Sequence, residues 1–299
     1  MTGAPNTSAL AQPSGALVKV VPAVFVLLWS TGFIGAKFGL PHSGPLTFLL
    51  LRFICTTSIL TAAALLLRSP WPNSWSVVGR LAVAGTLIQG CYLGGIFVAI
   101  SLGVPAGVAA LIGSLQPLLT AAVSGWYLGE SVKPKQWFGI VCGLIGVVLV
   151  VSDKLHFRGA DAWGVFSALI AVAGITAGTL YQKRHLGGTS LVTGSAIQFG
   201  TVLLIFLVLA PLFETMQVDW VPEFTFALAW LTLVLSIGAV TLFYWMIRHG
   251  AAANVASLFY LVPASTALIA YIVFDETLGL LAIVGMIAAA VGVFLVTHR

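Results

Sequence analysis

Apolar runs divide the chain at roughly 18–39, 45–67, 77–101, 105–128, 134–152, 162–182, 190–213, 224–247, 252–274 and 278–297. Most are about 20 residues or longer, enough for a helix to cross a ~30 Å hydrocarbon core. The pattern therefore predicts ten transmembrane helices joined by short connections. The connections at 68–76 and 214–223 are the longest. Their prolines stop helices, and Trp71, Trp75 and Trp220 suit the headgroup region.

The order of these runs is not arbitrary. Shifted by 146 residues, Ala106–Val151 lies without a gap on Ala252–Thr297, with twelve of the 46 positions identical. The matches go beyond common apolar letters: Pro117 meets Pro263, Thr120 meets Thr266, Glu130 meets Glu276, Gly139 meets Gly285 and Gly146 meets Gly292. The same register brings Lys37 to Lys183, Thr47 to Thr193 and Phe53 to Phe199. Such self-similarity cuts the chain into a polar tail at 1–17, a first unit at 18–152 and a second at 153–299. Each unit holds five spans, an odd number, so the second enters the membrane from the opposite side. The expectation is an all-α integral membrane protein built of two inverted five-helix repeats, a construction secondary transporters use for alternating access.

Composition strengthens the membrane reading. The chain is 60% hydrophobic and only 7% charged, against about 25% charged in an ordinary soluble domain. Its net charge of +5 is therefore not read as a nucleic-acid surface. With a cytoplasmic N-terminus, Lys19, Arg68, Arg80, Lys133, Lys135, Lys183, Arg184, Arg248 and Arg299 fall inside, against Lys154 and Arg158 outside. That asymmetry places both termini in the cytoplasm. Glu130 then ends a span inside and Glu276 ends one outside. The first apolar run is too long for a signal peptide and is read as a retained span. Cys55, Cys91 and Cys142 sit in apolar runs without CxxC spacing, as small buried hydrophobes rather than a disulfide or metal site.

The chain resembles the EamA-type ten-helix group of the drug/metabolite transporter superfamily. The likeness rests on Trp29-Ser30-Thr31-Gly32-Phe33, on Leu51-Arg52-Phe53, on Pro117 with Gly129-Glu130, on Pro263 with Glu276, and on the glycine-rich fifth and tenth spans. It covers about 18–297. It implies export or exchange of small solutes (amino acids, other metabolites or toxic amphiphiles) across the cytoplasmic membrane, with no cofactor. The sequence departs from the pattern at Asp275-Glu276, where Gly-Glu is expected.

Among polar residues, Arg52 stands out. It lies seven residues into its span, about 10 Å from the outer end, and a charge inside a span costs at least ~2.5–3.5 kcal/mol. Two readings are open: a contact to an anionic solute, or a structural cation bonded to helix ends or to an acid such as Glu276. Its repeat counterpart, Gln198, is neutral. Lys37 either snorkels to the interface or forms the positive end of a face shared with Trp29, Ser30 and Phe33. Polar stripes at helical spacing add Gln89 and Tyr92, Gln116 with Thr120 and Ser124, Thr176 with Thr179, Gln198 with Ser195 and Thr201, and Tyr244; Asn254 and Tyr260 open the ninth span. These residues either line a cavity or hydrogen-bond between helices. Pro117 and Pro263 are hinge candidates, and Glu130 and Glu276 are candidates for helix-end gating or coupling. GxxxG spacings such as Gly139…Gly143 indicate close helix contact.

No HExxH, GxSxG, P-loop or metal-spaced cluster occurs, so an enzyme is not expected. The competing functions are a channel or a transport-accessory or signalling subunit. The expected partners are a small-molecule solute and the lipid bilayer.

Overall fold

The computed structural model describes residues 15–128, 133–154, 160–239, 242, 259, 261–276 and 279–297. Every regular element among them is helical; Ser43 and Val218 form an isolated antiparallel bridge. In chain order the elements are α1 (Gly15–Gly39), α2 (Pro45–Leu66), α3 (Trp75–Gly85), a π segment (Thr86–Cys91) leading into α4 (Tyr92–Ser101), α5 (Ala106–Gly113), α6 (Gln116–Leu128), α7 (Pro134–Lys154), α8 (Ala160–His185), α9 (Leu191–Phe213), α10 (Pro222–Ala229) continuing into a second π segment (Trp230–Ala239), α11 (Leu261–Phe274) and α12 (Leu280–Thr297).

Among the described residues, seven stretches are long and apolar enough to cross a membrane: 20–42, 45–66, 75–101, 106–124, 162–185, 191–213 and 222–239. The apolar helices at 134–150, 261–274 and 280–295 are shorter. Large apolar side chains cover the outside, among them Leu66, Val148, Leu204 and Ile272. That arrangement suits lipid as the outer solvent. Trp75, Trp126, Trp163 and Trp220 are exposed near helix ends, where an indole can lie among headgroups.

Local chemistry sets the boundaries. Pro45 and Pro222 start their helices, where a missing N–H is no loss. Ser74 caps α3 by accepting from the Ser76 amide. Gly103, at φ 97°, ends α4 while the Val104 amide bonds back to Ala99. α5 and α6 are separated at Ser114 and Leu115, just before Pro117, whose ring cannot donate the next helical bond.

Contacts between the two sequence units obey the 146-residue offset. A Cβ on Gly146 would lie 2.6 Å from the Ala289 nitrogen, and one on Gly292 would lie 2.6 Å from the Gly143 nitrogen. Gly146 also abuts Gly285, and Gly292 abuts Gly139. Residue numbers rise along α7 as they fall along the facing α12, so the two helices run antiparallel at backbone contact. In α2 and α9, matched Phe53 and Phe199 face each other with ring centroids 5.9 Å apart. The Thr47 hydroxyl meets Met216 at 3.4 Å, while its counterpart Thr193 bonds the carbonyl of Pro70 at 2.9 Å; 70 and 216 are again 146 apart. The two π segments overlap under the same shift.

Side chains at the α7–α12 crossing would separate the helices. Gly146→Val and Gly292→Val should each cost about 1–3 kcal/mol and lower the melting temperature in detergent by several degrees. Gly79→Val, where the added Cβ meets nothing within 4 Å, should leave it little changed.

Candidate functional site

A cavity of about 360 Å³ lies between helices of both sequence units. Trp29, Phe33, Gln89, Tyr92, Gln116, Pro117, Gln198 and Ser236 line its deeper part. Gln182, Thr189, Ser190 and Ser195 carry the wall to the turn between α8 and α9. A side chamber of about 140 Å³ shares Trp29, Phe33, Gln89, Tyr92 and Ser236 and adds Arg52, Phe97 and Leu235.

Both π segments border this space. The first contains Gln89 and ends at Tyr92, whose amide bonds to the Leu87 carbonyl five residues back. The second contains Ser236, whose hydroxyl is 3.1 Å from the carbonyl of Leu231. A π turn inserts one residue and re-aims the side chains beyond it.

Arg52 is 3% exposed. Its Nη2 donates to Ser236 Oγ at 3.1 Å, and its Nε is buried without an acceptor. Among the described residues no carboxylate pairs with it; Glu276 bonds elsewhere. Gln198, its repeat counterpart, donates from Nε2 to Gln182 Oε1 at 3.0 Å. Gln116 Nε2 reaches Thr179 Oγ1 at 3.5 Å.

The opposite end of the bundle is tied shut. Lys37 forms an ion pair with Glu276 and sits 4.5 Å from the Phe274 ring centroid. The same carboxylate accepts from the Ala106 amide at 3.4 Å. Lys37 lies in the last turn of α1 and Ala106 opens α5, so each charge also matches the sign of the helix end it approaches. Asp275 has φ 53°, the left-handed conformation that favours glycine and that Asp tolerates. This accounts for the residue standing opposite Gly129: Asp275 supplies the turn that swings Glu276 back toward Lys37. Nearby, Glu214 accepts from the amides of Leu46 and Thr47 at 2.8 Å and from the Thr47 hydroxyl at 2.6 Å, capping α2 with a charge. A Cβ on Gly44 would collide with that carboxylate. The Asp219 amide bonds to the His42 carbonyl at 2.9 Å.

The structure thus sorts the sequence candidates. Trp29, Gln89, Tyr92, Gln116 and Gln198 line the main cavity, and Arg52 lines the side chamber. Ser30 is not on either wall: it is buried, its hydroxyl 2.7 and 3.3 Å from the Val26 and Val262 carbonyls, and its backbone carbonyl accepts from the Thr266 hydroxyl at 3.5 Å. The expected face of Trp29, Ser30, Phe33 and Lys37 is therefore divided, because Ser30 packs α1 on α11 and Lys37 is held at the helix end. Neither lipid snorkelling for Lys37 nor a Glu276 partner for Arg52 is found. Pro117 touches the cavity; Pro263 is buried in α11. Glu130, Tyr244, Asn254 and Tyr260 lie outside the described residues. The hydroxyl stripes bond chiefly within their own helices, as with Thr86 to Ala82, Ser124 to Ala121 and Thr201 to Ile197, rather than between helices. The three cysteines are free and partly exposed. Ser236, Gln182 and Glu214 are site residues the stripes did not single out. The i, i+4 spacing of Thr232 and Ser236 within an apolar run was the available signal for Ser236.

A helical bundle with a lipid-suited exterior and a solute-sized interior cavity is a multi-pass membrane protein. The chain belongs to the EamA-like transporter family, whose profile matches residues 18–152 and again 162–298. It is 26% identical over 289 residues to an "uncharacterized transporter" of Archaeoglobus fulgidus, covering 93% of this chain and 96% of that one. It is 26% identical to the "uncharacterized inner membrane transporter YedA" of Escherichia coli, covering 88% and 85%. A 165-residue stretch is 27% identical to an Escherichia coli protein named "probable amino-acid metabolite efflux pump", covering 55% of this chain and 53% of that one. A solved crystal structure shares the fold with TM-score 0.66 at 18% identity, covering 95% of this chain and 98% of that one.

The cavity reaches the α8–α9 turn while the Lys37–Glu276 end is closed. In a background lacking the three cysteines, Ser195→Cys should react rapidly with a membrane-impermeant maleimide applied from the α8–α9 side. Ala106→Cys should react slowly from either side.

Proposed function

We propose that the protein is a secondary transporter that exports or exchanges small metabolites, amino acids or amphiphilic compounds among them, across the cytoplasmic membrane. Ten helices form two inverted five-helix repeats, 18–152 and 153–299, with both termini cytoplasmic. The observation that carries the reading is a cavity between the two units, reaching the α8–α9 turn at one end, with the Lys37–Glu276 ion pair at the other. The antiparallel glycine contact of α7 with α12 and the facing pair Phe53 and Phe199 support an inverted relation between the units. The family membership supports transport in general.

In this reading the α8–α9 turn is cytoplasmic, and the cavity faces the cytoplasm. Breaking the Lys37–Glu276 pair accompanies opening to the outside. The repeat register makes Lys183 and Glu130 the counterparts of Lys37 and Glu276. Pro117 and Pro263 supply the bends on which one unit moves against the other. Among the described residues neither cavity wall carries an acid, which favours facilitated exchange or coupling through the helix-end carboxylates over a mid-membrane proton relay.

The test is saturable, countertransport-stimulated flux in proteoliposomes, with substrates drawn from the metabolites that differ between medium and cytoplasm when the gene is expressed. Lys37→Glu and Glu276→Lys should each reduce flux, and the double reversal should restore a substantial part. Flux that is unsaturable, or absent with well-folded protein, would favour a channel or an accessory subunit instead.

A further inference from the structure

Arg52 is a cation with unused hydrogen-bonding capacity facing a chamber. Its guanidinium presents five donors in one plane, the geometry that grips a carboxylate through two parallel bonds. One nitrogen is engaged by Ser236 Oγ, and Nε is buried with no acceptor. No Asp, Glu, Lys or His lines either the chamber or the main cavity, so Arg52 contributes the sole formal charge to the described walls.

The equivalent position of the other unit is buried without a cation. The repeat places Gln198 at the equivalent site, where it is 7% exposed and satisfied by Gln182. Serine has one counterpart too few: Ser236 corresponds to Gly90, so the Arg52–Ser236 pair has no equivalent in the other unit. Gln89 and Tyr92 add neutral polar groups, and the rest of the chamber wall is aromatic and aliphatic, with Trp29, Phe33, Phe97 and Phe199 among its members.

We infer that this chamber binds the carboxylate of a small organic acid on Arg52, with the acid's apolar body against Trp29, Phe33 and Phe199. The inference deepens the carrier reading above by naming the solute class. An incoming carboxylate supplies the counter-charge that Arg52 lacks, in a setting where Coulomb attraction is poorly screened. An apolar amine meets only repulsion there, and a neutral alcohol leaves the guanidinium unpaired.

The test uses the full-length protein in detergent with four probes of similar bulk: hydrocinnamate, phenylalanine, phenethylamine and hydrocinnamyl alcohol. Tryptophan fluorescence and thermal shift report binding. The two carboxylates should bind roughly tenfold or more tightly than the amine and the alcohol. Arg52→Gln should erase that preference, and Arg52→Lys should restore part of it. Equal affinity for alcohol and carboxylate, failure of both carboxylates to bind, or an unchanged carboxylate preference in Arg52→Gln would overturn the inference. If Arg52→Gln does not fold, the ranking of the four probes on the wild-type protein decides. Counterflow of labelled phenylalanine in proteoliposomes is measured separately. Carboxylate binding without flux supports the Arg52 site and removes the carrier reading. Flux of solutes without carboxylate preference keeps the carrier reading and removes the Arg52 site.

Discussion

One contact between the two matched sequence units is made backbone to backbone. At the α7–α12 crossing, Gly139, Gly143 and Gly146 meet Gly285, Ala289 and Gly292 so tightly that a single added Cβ would overlap backbone. Lipid tails offer no hydrophobic drive between helices, so dispersion contact at short range has to hold the pair. The same register then governs the interior. α2 and α9 meet through Phe53 and Phe199, and the two π segments fall at matching places beside the cavity.

Polar groups are spent unevenly along the bundle. At one end Glu276 joins Lys37 to the start of α5, Glu214 caps α2, and the 218–219 segment bonds to the 42–43 turn. These are long-range ties between elements far apart in sequence. At the α8–α9 end the polar groups line space instead, and many hydroxyls turn back to their own helix carbonyls. The difference is one of satisfaction: a carboxylate with several donors fixes its neighbours, whereas a threonine bonded to its own helix fixes nothing across an interface.

Much of this organisation was legible in the chain. Among the described residues, hydrophobic run lengths located the helices closely, because a membrane span leaves little freedom in length. The GxxxG spacing of Gly139 and Gly143 pointed to close helix contact, though not to α12 as the partner. Three things were not legible. A π segment has no distinctive composition, so the re-aimed Ser236 was invisible as a partner for Arg52. Ser30 follows the wall residue Trp29 by one position, about 100° round the helix, and lies against Val262 instead of the cavity. Lys37 could not be assigned to Glu276, since 239 residues separate them and an exposed lysine near a helix end ordinarily reaches for the interface.

Duplication explains the framework, and departures from duplication explain the site. A repeat that only needed to fold would place the same neutral residue in both units, as the satisfied Gln198–Gln182 pair shows is feasible. Arg52 instead brings a desolvated charge whose cost one serine hydrogen bond only partly offsets. Asp275 is a milder case: it occupies a left-handed turn that glycine would fill more easily, but the turn is kept and Glu276 remains aimed at Lys37. The first departure changes the charge of the cavity; the second leaves the closed end intact. Under the proposed carrier reading, charge selectivity falls to Arg52, while the Lys37–Glu276 contact belongs to the closing of the helix ends.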